Sequence, residues 1–371
     1  MSRGATLRPA FPLARSVLLM LTCLLVAGTV ATASSAALAQ QVGQSVPMPR
    51  GVHLPVPVHI AMRILNVSKI DEPLREASLV VEVTQRWKDP GQAFDARATG
   101  VGRRDLVGAD AEAVLSSIWT PGAVIENQIS VPRSQSTSIS IRADGTVTLI
   151  SRMDADFRVA IDMSSFPFDR QHLQLSLVSP RYSADDVIFV MTDLDRELSS
   201  VAGTLSASNW TAGSMRFVME RFYGWNARPF VRVIASAVVE REWSFYLLRI
   251  FVPFAAVMSV SVFILWAPEK LLGDKAPLTF SALMALAALS FTYEASFPGS
   301  ISMNSPIAFM TSIGYLYLTG VLLMNILLVY APLAIRDRYP HLEGEIRRNI
   351  RYTVPAVFLL TCLCSVLRSM V

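Results

Sequence analysis

The chain has 371 residues, with 33 Lys and Arg against 29 Asp and Glu, 52% hydrophobic residues and only 17% charged ones. Its mean hydropathy of +0.42 excludes a disordered chain and argues against an ordinary soluble enzyme. Three of the basic residues, Arg3, Arg8 and Arg15, fall in a leader-like segment; without them the formal charge drops from +4 to +1, which leaves no surplus for nucleic acid.

Residues 1–39 read as a secretory signal. A basic stretch ends at Arg15, an apolar run covers Ser16 to Val30, and small residues lead to Ala37-Leu38-Ala39. That order predicts cleavage before Gln40, leaving 332 residues (371 less 39). The apolar run is shorter than the ~20 residues of a membrane span, which disfavours a retained anchor.

Residues 40–242 alternate with the period of half-buried strands. Val56, Val58, Ile60, Met62 and Ile64 form one such set, and Ala77, Leu79, Val81 and Val83 another. Leu173, Leu175 and Leu177 follow, then Met215, Phe217 and Met219, then Val231, Val233, Ala235, Ala237 and Val239. Asp144-Gly145, between Ile141 and Val147, is a hairpin turn signal. About ten strands over this length predict an all-β, immunoglobulin-like sandwich.

Residues 243–371 change character. Four apolar stretches, at 245–266, 277–297, 307–330 and 352–371, are each close to a membrane-crossing helix in length. The second is rich in Ala, Ser and Thr and carries Glu294, so it suits a lipid-facing position poorly. The connection from Ala331 to Arg351 holds Arg336, Arg338, Arg347, Arg348 and Arg351, whereas Pro298 to Pro306 carries no charge. The positive-inside rule places the arginine-rich connection in the cytoplasm, and hence the β domain and the C-terminus outside. The leader predicts the same topology independently.

Cysteine and histidine add little. Cys23 lies in the leader, Cys362 and Cys364 lie in the last apolar run, and His53, His59, His172 and His341 show no ligand spacing. Neither a disulfide framework nor a metal site is expected.

Several motifs occur in one order. They are Trp87-Lys88-Asp89-Pro90, Ile118-Trp119-Thr120-Pro121 with Asn127, Phe166-Pro167-Phe168-Asp169, Arg241 before the first apolar stretch, Pro253 within it, Gly273-Asp274-Lys275, and Pro298. With the sandwich and four spans, this set resembles the bacterial pentameric ligand-gated ion channels, relatives of the Cys-loop receptors. The resemblance covers about residues 52–371. The half-cystines that flank the FPFD segment in animal members fall here at Val159 and Leu173, so that loop is not disulfide-closed.

The resemblance implies a homopentamer in a lipid bilayer, not an enzyme, with no cofactor. It also implies a ligand site between subunits, an aromatic cage that attracts cations through ring faces. The matching segments contain Trp119, Glu126, Asn127, Pro180, Tyr182, Phe217, Tyr223, Trp225 and Phe230, with Glu82 contributed from the neighbouring subunit. Pro180 and Glu82 stand where amine-binding relatives often carry aromatics, which argues against a complete amine cage. Trp87, Trp119 and Pro121 also suit the sandwich core. The competing stimulus is protons, with Asp71, Glu72, Asp185, Asp186, Asp193 and Asp195 as titratable candidates, although such carboxylates are usually solvated surface charges.

Steps of four and three from Pro277 keep side chains on one helix face: Ser281, Met284, Ala288, Phe291 or Thr292, and Ala295. As a pore lining, five copies would give hydroxyl rings inside and apolar rings further out, the latter able to close a pore by dewetting. Carboxylates of Asp274 and Glu294 at the two mouths favour monovalent cations, and the resemblance to cation-selective relatives implies that Lys275 points away from the pore. Asp71, Glu72, Phe166, Pro167, Phe168, Asp169, Arg241 and Pro298 are the candidates for coupling the two domains, with an Arg241–Asp169 pair at the centre. A non-conducting periplasmic sensor is the rival reading; it predicts no functional stripe on the second helix.

Overall fold

A computed structural model describes residues 46–224, 227–267, 272–299, 305–330 and 340–370, except for the side chains of 272–274, 328–330 and 340–343. The leader and Trp225 lie outside these residues. Pro49–Ser116 and Thr120–Val371 form one compact unit, while Ser117–Trp119 belong to another.

The strands are β1 (Val56–Asp71), β2 (Glu76–Lys88), β3 (Arg103–Val107), β4 (Val124–Ile125), β5 (Ser134–Arg142), β6 (Thr146–Arg158), β7 (Arg170–Val178), β8 (Val187–Val190), β9 (Ser200–Val201), β10 (Trp210–Tyr223) and β11 (Pro229–Arg241). One sheet runs β3-β5-β6-β2-β1-β8, with β9 paired to β1; the other runs β10-β11-β7-β4. Alternation dictates the packing. Ala77, Leu79, Val81 and Val83 of β2 bury on one face, as do Leu173, Leu175 and Leu177 of β7 and Val233, Ala235, Ala237 and Val239 of β11. Fully burying such a side chain contributes about 1.5–3 kcal/mol, so the core needs no disulfide. Val159 and Leu173, at the half-cystine positions, are both buried apolar residues. Gly145 closes the β5–β6 hairpin at φ +82°, and a Cβ there would fall 2.5 Å from the Asp89 carbonyl oxygen.

The Met215, Phe217, Met219 alternation does not bury as its pattern suggests. β10 is an edge strand whose pairing shifts register between Ala212 and Met215. Phe217 is half-buried and Met219 is exposed.

Short helices punctuate the sandwich, among them α1 (Ala109–Ser117) and α2 (Asp193–Glu197). Four long helices follow: α3 (Ser244–Trp266), then α4 (Leu272–Ser296), α5 (Pro306–Tyr330) and α6 (Pro340–Met370). All four are long and apolar enough to cross a membrane. Two begin earlier than the sequence pattern indicates. α4 starts at Leu272 rather than Pro277, because proline is tolerated near a helix start and does not itself mark the first residue. α6 starts at Pro340 rather than Tyr352, so Arg347, Arg348 and Arg351 lie on a helix and not in a loop. Hydropathy locates only the apolar part of such a helix.

Side chains from α4 and α6 satisfy the end of α3. Lys275 Nζ donates to the Ala267 carbonyl at 2.9 Å, and Arg351 Nε donates to the Leu265 carbonyl at 3.2 Å. Cations suit the unpaired carbonyls at a helix C-terminus. The helices share a core that includes Phe254, Met258, Leu286, Leu318 and Phe358. A Cβ on Gly314 would approach Leu286 to 3.2 Å, so α5 and α4 pack closely there.

Candidate functional site

Chemistry concentrates where the β domain meets the helices. Arg241, the last residue of β11, is buried, as is Asp169 in the turn leading into β7. The guanidinium grips the carboxylate with two bonds, Nε to Oδ1 at 2.7 Å and Nη2 to Oδ2 at 3.1 Å. Nη2 also donates to Glu72 Oε1 at 3.0 Å, and Nη1 donates to the Tyr246 hydroxyl at 2.9 Å. The guanidinium carbon lies 4.1 Å from the centre of the Trp210 ring and 4.8 Å from that of Phe166. Burial works against the Arg241 charge, yet the Asp169 hydrogen bonds and charge hold its pKa above the ordinary value. Such a bidentate pair is strong and geometrically strict.

Residues unmarked in the sequence complete this joint. Gln171, buried, donates to Asp169 Oδ2 at 2.6 Å and to the Asp162 carbonyl at 2.7 Å, while its own amide oxygen accepts from the Asp162 N–H at 3.0 Å. Tyr246 belongs to α3, so the network crosses into the helical domain. Phe166, fully buried, meets the Tyr246 ring edge-on at 5.2 Å and the Phe297 ring at 5.1 Å. Phe168 packs on Trp243 and Phe251 instead. Pro167 is buried between them in sequence. Tyr293 of α4 donates its hydroxyl to the Ile250 carbonyl at 2.8 Å, tying α4 to α3 just below. Of the two first-hairpin acids, Glu72 joins the network and Asp71 does not. Asp71 pairs with Lys69, whose ammonium lowers its pKa. Pro298, exposed just after α4, lines a cavity of about 530 Å³ together with Glu72, Asp162 and Met163.

The α4 side chains divide cleanly. Lys275, Thr279, Ala282, Leu286 and Tyr293 are buried against the other helices. Pro277, Ser281, Met284, Ala288, Phe291, Thr292 and Ala295 are all exposed in the single protomer, with Met284 at 74% and Phe291 at 73%. Glu294 is exposed as well. Lys275 turns inward to the α3 terminus, away from that face. The Asp274 side chain lies outside the described residues.

The ligand-site candidates do not converge in one protomer. Asn127 spends its amide on the backbone: Nδ2 donates to the Arg158 and Gln174 carbonyls at 2.7 and 2.8 Å, and Oδ1 accepts from the Ser176 N–H at 3.0 Å. It is a loop staple. Trp119, at 2% exposure, presents no ring to solvent. Glu126 pairs with Arg232 of β11 at 2.8 Å, and Arg232 also pairs with Glu220 at 2.8 Å. The Arg232 guanidinium lies 4.3 Å from the centre of the Phe222 ring, and Phe222 stacks on Phe230 at 5.8 Å. An aromatic face near this hairpin thus already holds the chain's own cation. Tyr223 at the tip is 80% exposed. Tyr182 is half-buried and Pro180 exposed, while Glu82 pairs loosely with Arg63 at 3.5 Å.

Among the proton candidates, Asp195 is not a surface charge. It is buried, caps α2 through Thr192, and takes bonds from His59 Nδ1 at 3.1 Å and Arg86 at 2.9 Å.

A two-sheet sandwich ending in a buried Arg–Asp joint, followed by four helices long and apolar enough to cross a membrane, defines a β domain attached to a membrane-type helical domain. Comparison with known proteins gives the family. The model of the neurotransmitter-gated ion-channel ligand binding domain matches residues 44–243, and the chain belongs to that family. Its relatives include the acetylcholine receptor subunit alpha-type deg-3 of Caenorhabditis elegans, 21% identical over 72% of this chain and 47% of its own length. The gamma-aminobutyric acid receptor subunit pi of Rattus norvegicus is 22% identical over 78% of this chain and 66% of its own. A proton-gated ion channel of Gloeobacter violaceus is 22% identical over 82% of this chain and 81% of its own. The chain thus spans about half to two thirds of the length of these animal subunits.

Proposed function

We propose that the protein is a homopentameric, cation-selective channel of a bacterial inner membrane, with its β domain in the periplasm, opened by a small organic ligand bound between subunits. The observation that carries this reading is the two-sided α4. One face is packed, and the other, Ser281 through Ala295, is left without partners by its own protomer. A ring of five copies gives that face a water-filled axis to line. Met284, Ala288 and Phe291 then form the apolar gate, with Asp274 and Glu294 concentrating monovalent cations at the mouths. The ligand acts by binding the open form more tightly than the closed one. The Arg241–Asp169 joint transmits the shift from sandwich to helices, against the linker that starts at Pro298.

A second reading keeps the channel and replaces the ligand with protons. The proton-gated relative, matched over most of both chains, favours it. Current through purified protein in a planar bilayer, screened against pH and small amines, amino acids and carboxylates, decides between them. A protein that conducts under none of these conditions is a sensor and not a channel.

A further inference from the structure

Met163 stands just before the Phe166 turn, and its carbonyl accepts the Phe166 N–H at 3.1 Å. Its side chain is 9% exposed and packs among Phe166, Tyr246, Ile250, Tyr293 and Ile307. The sulfur also meets the Arg241–Asp169 joint. Arg241 Nη2 donates to Met163 Sδ at 3.7 Å, and the same nitrogen donates to Asp169 Oδ2 at 3.1 Å and to Glu72 Oε1 at 3.0 Å. That nitrogen carries two hydrogens, so three acceptors share them, and the thioether is the weakest of the three. A leucine would fill the same space but would take no part in that competition.

The same side chain is reachable from solvent. It lines the cavity of about 530 Å³ shared with Glu72 and Pro298, and a second of about 200 Å³ shared with Lys69 and Asp71. Arg75, Asp162 and Pro298, which line the larger cavity, are exposed. A water molecule takes about 30 Å³, so the larger cavity admits hydrogen peroxide as readily as water. A Cβ on Gly299 would lie 3.9 Å from Met163 Cγ, so the segment that follows α4 passes against this side chain as well. One thioether thus touches the buried guanidinium, the helical domain and a polar cavity.

We propose that Met163 is an oxidant-responsive modification site, at which a peroxide entering the cavity converts the thioether to a sulfoxide and loosens the joint. A sulfur lone pair attacks one peroxide oxygen, a sulfur–oxygen bond forms and the oxygen–oxygen bond breaks. The sulfur gives two electrons to the peroxide. The departing hydroxide takes the proton of the transferred oxygen and leaves as water. The product is a polar sulfoxide in place of an apolar thioether. Its oxygen competes with Glu72 and Asp169 for the Nη2 hydrogens, and it places a dipole among Phe166, Ile250 and Ile307. Methionine sulfoxide reductases reverse the change. The joint responds in this way whether or not the protein conducts.

The full chain in detergent is treated with hydrogen peroxide. Sulfoxide at each methionine is followed by peptide mass spectrometry, with thermal unfolding measured on the same samples. Met163 is expected to oxidise several-fold faster than Met62, which is fully buried in the sandwich. The thermal midpoint is expected to fall in wild type and to hold in Met163→Leu, a volume-conserving change that cores tolerate. Exposed methionines such as Met219 and Met284 oxidise in both proteins, so their effect cancels in the comparison. Glu72→Gln, whose neutral amide competes less for Nη2, is expected to lose less than wild type on oxidation. Oxidation of Met163 no faster than that of Met62 would overturn the proposal, as would equal losses in wild type and Met163→Leu, or in wild type and Glu72→Gln.

Discussion

Replacing Arg241 with Gln removes the cation from a joint built around it. In the native protein the Arg241 and Asp169 side chains are each 1% exposed. After the change, Asp169 keeps the Gln171 bond at 2.6 Å but loses both guanidinium bonds. An uncompensated buried carboxylate of this kind costs ~3–5 kcal/mol. The Glu72 contact adds at most ~1 kcal/mol, because that side chain is partly solvated. Asp169→Asn in the same chain removes the stranded charge, so the double variant should recover a sizeable part of the loss. Coupling between touching groups typically reaches ~0.5–3 kcal/mol. The assay is thermal unfolding of the four proteins in one detergent, with pentamer content checked by size exclusion, followed by current recording on those that assemble. Arg241→Gln is expected to unfold earlier, and where assembled to bind ligand yet open poorly. Strictly additive single effects would refute the buried-pair account, and normal gating in an assembled Arg241→Gln channel would refute the coupling role.

Three further outcomes follow from the same geometry. Phe291→Ser should leak without ligand, because a hydroxyl wets a ring that an aromatic keeps dry; channels as tightly closed as wild type place the gate elsewhere. Asn127→Ala should lower stability by roughly 2 kcal/mol through three lost backbone bonds, with the thermal midpoint falling whether or not ligand is present; a change in ligand affinity alone would return Asn127 to the binding site. Asp195 gives a pH test. Burial pushes its carboxyl up, but the Thr192 hydroxyl and amide, then His59 and Arg86, outweigh that and hold it below the ordinary range. Its contribution to stability is therefore complete above the unfolded value, near about pH 4, and is lost as the pH falls through the lower folded value. The midpoint difference between wild type and Asp195→Asn should shrink across that window, and a constant difference would contradict it.

The sandwich was legible because its strands alternate: Leu173, Leu175 and Leu177 bury as their spacing requires, and Asp144-Gly145 turns where expected. The helices were legible by apolar length, but their ends were not. The polar start of α6 carries no hydropathy signal, and Pro277 marks only the neighbourhood of a helix start. Arg241, before the first apolar stretch, and Asp169, in the Phe166–Asp169 motif, were marked through the resemblance although 72 residues apart, whereas Gln171, two residues from Asp169, and Tyr246, five residues from Arg241, complete the joint through side-chain contacts that only the fold creates. Asn127 holds its loop through three backbone bonds, a role that its place in a recognised segment does not announce. Asp71 and Glu72, adjacent in sequence, point to different partners, a distinction that composition does not encode.

If α4 lines a cation pathway, the ion selectivity of the current reports it. Purified protein in a planar bilayer, held across a potassium chloride gradient, should give currents that reverse near the potassium equilibrium potential. Asp274→Ala combined with Glu294→Ala should move the reversal toward zero. Absence of current under every ligand and pH condition, or a reversal potential unchanged by the double substitution, would contradict the account.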